Sequence, residues 1–299
     1  MLNVGVFGTG QWAAETHAAA IAAHSGTRLA GVWGRNADKA GALGARFGVP
    51  AFTEVDELIE AVDAVAVALP PDIQADIATR AATAGRHLLL DKPVALRLAD
   101  ADRVLAATEQ AGVASVVFFT NRFHGNVSAH LATAAALGGW CGARVTMHAS
   151  IYQPGNPYGE SHWRHEHGAL WDIGPHALSL LVPVLGPVTR VAAMDGPRGL
   201  VDLLLAHSSG ATSTVSLTLD APAAAMAREA VLYGENGTDE VPHGDGTAVD
   251  AFGRAIDQLL AQVDSGARDH GCDVRFGRDV VAVLAAAETA RTEARTVEL

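Results

Sequence analysis

Short, nearly unbroken apolar runs alternate with longer amphipathic stretches over the first 120 residues. The apolar runs are 2–7, 28–33, 50–52, 64–69, 87–90 and 114–120. Continuous runs of this kind, rich in valine, leucine and alanine, mark strands buried on both faces, as parallel strands are. Between them, 13–24, 36–47, 72–84 and 98–111 read as helices, and Thr53-Glu54-Val55-Asp56 reads as the capped start of another. Gly85 stands where a helix C-terminus favours glycine. Six strands interleaved with helices predict an α/β unit on a doubly wound parallel sheet, which takes ligands at the carboxyl ends of its strands.

Beyond Thr120 the pattern changes. A helix over 126–137 precedes an alternating strand over 144–150, an irregular polar and aromatic stretch over 152–167 and a helix over 171–181. Strands follow over 188–193, 200–207, 211–219 and 230–233, and helices over 249–263 and 278–294 close the chain. Grouped strands with helices at the ends predict an α+β domain whose largely antiparallel open sheet is covered on one face. The predicted division is a first domain over 1–120 and a second over 121–299. Leu203 and Leu205 share a face by alternation, and the sheet's uncovered apolar face predicts a homodimer or homotetramer that hides it.

Composition narrows the partners. Of 299 residues 49% are hydrophobic, enough for two proper cores, and the formal net charge of -12 comes without any run of Lys or Arg. That argues against nucleic acid or an anionic membrane surface and for small molecules. Cys141 and Cys272 lie far apart, outside any CxxC, which fits a reducing cytoplasm. No basic leader pattern precedes the first strand, and no run approaches the ~20 apolar residues of a membrane span, so a cytoplasmic protein is expected.

Candidate chemistry sits at the ends of the predicted strands. After the first comes Gly8-Thr9-Gly10-Gln11-Trp12-Ala13, a G-x-G-x-x-A turn between strand and helix. In such a turn the first glycine permits the bend, the second lets backbone approach a pyrophosphate, and the helix N-terminus offers amide donors to the phosphates. After the fifth comes Leu88-Leu89-Leu90-Asp91-Lys92-Pro93, which puts a partly desolvated lysine at a strand end, where it can transfer protons. Asp172 and His176 are four apart, one turn of a helix, and a carboxylate that orients an imidazole makes a general base for neutral pH. Arg122, Tyr152, Trp163 and Arg164 are candidate substrate contacts. His148, His162, His165 and His167 match no zinc spacing, so no metal is expected.

Taken together, Gly8 to Ala13, Pro70-Pro71, Ala84-Gly85-Arg86-His87 leading into Asp91-Lys92-Pro93, the Gly168 to His176 segment and Asp273 to Gly277 resemble the glucose-fructose oxidoreductase and inositol dehydrogenase family, Gfo/Idh/MocA. The resemblance implies an N-terminal Rossmann domain, a C-terminal domain with an open sheet used for oligomer contacts, and NAD(P)-dependent oxidation or reduction of sugars, polyols or their derivatives. It implies Lys92, Asp172 and His176 as catalytic residues. The cofactor residues would be Gly8, Thr9, Gly10, Gln11, Trp12, Gly34, Arg35, Leu69, Pro70, Asp91 and Lys92. The chain departs from the family pattern at Asp91, where Glu is usual, and at Gln74, where histidine is frequent. At the end of the second strand, where an NAD-selective site carries an acid, stand Gly34, Arg35 and Asn36. An arginine without an acid predicts NADP in preference to NAD, with Arg35 on the 2′-phosphate. Two alternatives share the fold: NAD-dependent glycoside cleavage through transient oxidation, and a cofactor-binding regulator without turnover.

Overall fold

The computed structural model describes residues 1–268 and 271–299, which form two compact units. The first comprises Met1–His124 and Gly246–Arg278. Its sheet holds β1 (Leu2–Phe7), β2 (Thr27–Trp33), β3 (Ala51–Phe52), β4 (Ala64–Val67), β5 (His87–Asp91) and β6 (Ser115–Phe118) in the order β3-β2-β1-β4-β5-β6. All pairs are parallel. Val4, Val6, Val65, Val67 and Leu88 to Leu90 are at most 1% exposed, which is why these runs carry no polar alternation. Strand order reverses between β1 and β4, and that switch point is where a doubly wound sheet opens a crevice at its carboxyl edge.

The helix Ala248–Ser265 belongs to this unit, so the unit boundary is not a single cut near residue 120. Its apolar stripe of Ala251, Phe252, Ala255, Ile256 and Leu259 is buried, and the Phe252 ring lies 4.8 Å from Phe118 and 4.2 Å from His17. A capping box between Thr247 and Asp250 starts the helix.

The second unit comprises Gly125–Asp245 and Asp279–Leu299. Its sheet holds β7 (Trp140–His148), β8 (Val188–Asp195), β9 (Val201–His207), β10 (Thr212–Thr218), β11 (Ala227–Gly234), β12 (Gly237–Glu240) and β13 (Val297–Glu298), in the order β12-β11-β7-β10-β9-β8-β13. Only β7 and β10 run parallel, so the sheet is mixed and mostly antiparallel.

The alternation in β9 corrects the expected dimer face. Leu203 and Leu205 are 3% and 0% exposed within the chain itself. Leu217 on the same face, and Leu284 of the helix Val274–Glu293, pack so closely on the helix Gly174–Leu185 that a Cβ on Gly174 would meet both. The outward face carries Asp202, Leu204 and Ala206 of β9, paired with Met194 and Ala192 of β8 and with Ser216, Thr214 and Thr212 of β10. The run His162–Leu185 is long and apolar enough by composition to cross a membrane, and 67% of its most apolar window is buried, as in a core helix.

Candidate active site

In the first unit the glycine turn lies at the carboxyl end of β1. The Gly8 amide donates to the Trp33 carbonyl at 2.9 Å, and the residue takes φ +134°. A Cβ there would come within 2.5 Å of the Ala68 carbonyl oxygen, so only glycine fits. Gly10 is exposed, with nothing within 4 Å of its would-be Cβ, and Ala13 is buried at the start of a π-helical segment, Ala13–Ala18. Wide turns of this type recur at functional sites. An open backbone surface beside a helix start is what a dinucleotide pyrophosphate requires, so these residues fit the cofactor. Gly34 directly follows β2, with its would-be Cβ only 2.4 Å from the Thr9 methyl, which leaves no room for an acidic side chain as Thr9 stands. Arg35 follows, exposed, and Asn36 caps the helix Ala37–Phe47 by accepting from the Lys39 amide at 2.9 Å. Leu69 and Pro70 form the corresponding turn after β4, with Pro71 as the first helical residue.

Lys92 follows β5, half-buried, in a turn with a cis Lys92–Pro93 peptide. The Lys92 amide donates to Asp91 Oδ1 at 2.8 Å, and Asp91 Oδ2 lies 3.6 Å from Nε2 of the fully buried His17. Burial pushes the Asp91 carboxyl up, but the His17 contact and the Lys92 charge outweigh it and hold the group below the ordinary aspartate value. Asp91 is therefore a carboxylate near neutral pH. Sequence reading missed His17, which stands among alanines as one more position of the helix core.

In the second unit the stretch expected to be irregular is helical from His162. The helix His162–Asp172 is broken at Gly168 (φ 64°, ψ -160°), a conformation open to glycine alone. The break matters. Eight residues of regular helix would separate Arg164 from Asp172 by about 12 Å along the axis, yet Arg164 Nε donates to Asp172 Oδ2 at 2.9 Å. Asp172 is buried at 4% exposure. The Arg164 guanidinium also lies 4.9 Å from the Trp163 ring and 5.3 Å from the Tyr158 ring. Tyr152 donates its hydroxyl to the Arg164 carbonyl at 2.5 Å and stacks on His165 with ring centroids 4.4 Å apart. Burial, together with the Asp172 charge, pushes the Tyr152 phenol up. Tyr152 and Trp163 thus gather around Arg164, which bonds Asp172.

Asp172 and His176 do not share one regular helix. Asp172 ends the first, Ile173 intervenes, and His176 lies in the first turn of Gly174–Leu185, where Pro175 has no amide to continue the ladder. Arg122 belongs to the first unit, in the turn Thr120–Phe123, its guanidinium 6.0 Å from the Phe276 ring. His148 bonds Ser216 Oγ at 3.0 Å through Nε2, and His162 and His167 each lie 3.9 Å from Glu166. Among the described residues no three His, Cys, Asp or Glu side chains converge on a metal position.

Residues 2–119 match the oxidoreductase family with an NAD-binding Rossmann fold, Gfo/Idh/MocA, and residues 132–240 match that family's C-terminal domain. The chain belongs to this family. A dTDP-3,4-didehydro-2,6-dideoxy-alpha-D-glucose 3-reductase of Streptomyces violaceoruber is 33% identical over 64% of this chain and 56% of its own length. A UDP-N-acetylglucosamine 3-dehydrogenase of Acidithiobacillus ferrooxidans is 32% identical over 41% of this chain and 38% of its own. The chain thus matches little more than half of the length of these relatives, or less. A 1,5-anhydro-D-fructose reductase of Ensifer adhaerens is 29% identical over 94% of this chain and 92% of its own. Among solved structures, the WlbA dehydrogenase of Bordetella pertussis, in complex with NADH and UDP-GlcNAcA, superposes with a TM-score of 0.84 at 22% identity over 100% of this chain and 98% of its own. At that identity the likeness shows the fold.

Proposed function

We propose that the chain is an NAD(P)-dependent oxidoreductase that moves a hydride between nicotinamide and a hydroxyl or keto carbon of a sugar or sugar derivative. The observation that carries this reading is Lys92, held at the carboxyl end of β5, two strands from the glycine turn on β1. The curated relatives above are named for sugar oxidation or reduction, which supports the substrate class.

Bound nicotinamide would supply the hydride acceptor or donor. The chain supplies the proton work: Lys92 and His176 are the groups proposed to take the proton from, or return it to, the substrate oxygen. Asp172 sets the local charge and is itself fixed by Arg164. Gly8 to Trp12, Gly34, Arg35, Leu69, Pro70 and Asp91 are the proposed cofactor contacts, with Arg122, Tyr152, Trp163 and Arg164 toward substrate. Cys141 is exposed and Cys272 buried, and neither belongs to a CxxC, which suits a reducing cytoplasm.

For the cofactor we infer NADP. Gly34 removes the acid that would repel a 2′-phosphate, and Arg35 offers an exposed guanidinium beside it. Titration followed by nucleotide fluorescence is expected to show NADPH bound at least tenfold more tightly than NADH, a preference that Arg35→Ala erases. Equal affinities unchanged in Arg35→Ala contradict the assignment.

For the assembly we infer a symmetric homo-oligomer through the outward face of the second sheet. Leu204 and Met194 are 54% and 72% exposed on it, and beside them a depression of about 410 Å³ is lined by Arg190, Ala192, Leu204, Thr212, Thr296 and Glu298. Leu204→Arg is expected to turn the assembly into monomers in light scattering at micromolar concentration. A wild-type protein that is already monomeric there contradicts the inference.

A further inference from the structure

The parallel sheet of the first unit ends unevenly. β4 pairs with β5 only as far as Val67 opposite Leu90, after which the chain leaves β4 through Ala68, Leu69 and Pro70 into the helix Pro71–Thr83. In β5 the residues that bond toward β4 alternate: His87 donates to Asp63 on that side, whereas Leu88 donates to Ala114 on the other. Asp91 falls on the β4 side, one residue beyond the point where β4 has gone.

The side chain of Gln74, fully buried at 0% exposure, occupies that place. Its Oε1 accepts the Asp91 amide at 2.9 Å, and its Nε2 donates to the Asp91 carbonyl at 2.7 Å. The same Nε2 lies 3.0 Å from the Pro93 carbonyl and 3.4 Å from that of Val94. One primary amide therefore replaces the missing strand for Asp91 and ties together the residues on both sides of Lys92. Its paired donor and acceptor do this without bringing charge into a buried position.

We propose that Gln74 is the positioning residue for Lys92: its amide fixes the backbone of the turn and thereby the reach of the lysine ammonium. The proposal rests on the reading of Lys92 as the proton-transfer residue. It gives a physical content to the departure from the family pattern at this position, since the amide serves the turn at any pH at which the protein is folded.

The test exploits the lysine content of the chain, which is Lys39 and Lys92 only. Reductive methylation with 13C-formaldehyde then gives two lysine signals in an NMR spectrum, and the unaltered chain reports amide exchange at Asp91. In Gln74→Leu the Asp91 amide is expected to exchange at least tenfold faster and the Lys92 signal to move, with Lys39 unchanged. In the absorbance assay on sugars and their keto forms, turnover falls about ten- to hundredfold while KM and NADPH affinity stay near wild type. In the Lys92→Ala background the same substitution is expected to cost nothing further, because Gln74 acts through the lysine. Gln74→Glu, which keeps the acceptor for the Asp91 amide but turns an oxygen toward the carbonyls, gives the same signature if Gln74→Leu fails to fold. Unchanged Asp91 exchange and an unmoved Lys92 signal overturn the proposal, as does full turnover in Gln74→Leu beside an inactive Lys92→Ala. Full turnover in Lys92→Ala removes the reading of Lys92 instead and leaves the Gln74 contacts intact.

Discussion

Lys92→Ala is expected to lower turnover about a hundredfold or more, the usual scale for a positioned acid or base, and to leave NADPH affinity within about twofold. The substitution removes the ammonium from a half-buried position and leaves in place the bonds of Gln74 to the Asp91 backbone and of the residue-92 amide to Asp91 Oδ1. The turn therefore keeps its shape. A loss confined to kcat fits a group that moves the proton, and Lys92→Arg, with its charge kept but its proton held far more tightly, should be nearly as slow. Steady-state kinetics beside a nucleotide titration separate the two quantities. Wild-type turnover in Lys92→Ala would remove the lysine from the chemistry.

Arg164→Ala is expected to destabilise the chain by about 2–3 kcal/mol, the lower side of the cost of breaking a buried ion pair. The guanidinium keeps 21% of its exposure, so water recovers part of the loss, but Asp172, at 6% side-chain exposure, gives up its Arg164 hydrogen bond in a buried position. A change of that size corresponds to a fall of roughly 3–5 °C in melting temperature for a chain of this length. Asp172→Asn removes the carboxylate and should melt closer to wild type, yet lose turnover with the proposed catalytic charge. Differential scanning calorimetry on both variants distinguishes them. Equal melting temperatures in wild type and Arg164→Ala would mean that the ion pair does not hold the segment.

The parallel sheet was legible because strands buried on both faces read as unbroken apolar runs, and Leu88-Leu89-Leu90 before Asp91-Lys92 shows the rule at its clearest. The glycine turn was legible because its steric demands allow so few residues. Other features depend on partners distant in sequence. Alternation in β9 separates Leu203 and Leu205 from Leu204, but which face the helices cover is decided by the packing around Gly174 and Leu284. The stripe of Ala248–Ser265 announces a buried face without saying that Phe118 and His17 cover it. The helix at His162 begins with a polar turn that has no apolar period, and its break at Gly168 conceals the Arg164–Asp172 pair from helical spacing. Gln74 gains its meaning only where β4 stops short of Asp91.

The central claim is that this chain carries out nicotinamide-linked redox chemistry on a sugar-like carbinol through Lys92. It is tested most directly by following reduced-nicotinamide absorbance with NADP or NADPH over a panel of sugars, inositols, nucleotide sugars and their keto forms, with wild type and Lys92→Ala side by side. The account predicts a substrate-dependent absorbance change in wild type that falls about a hundredfold in the variant. Tight NADPH binding with no absorbance change on any member of the panel, or an equal change in both proteins, would contradict it.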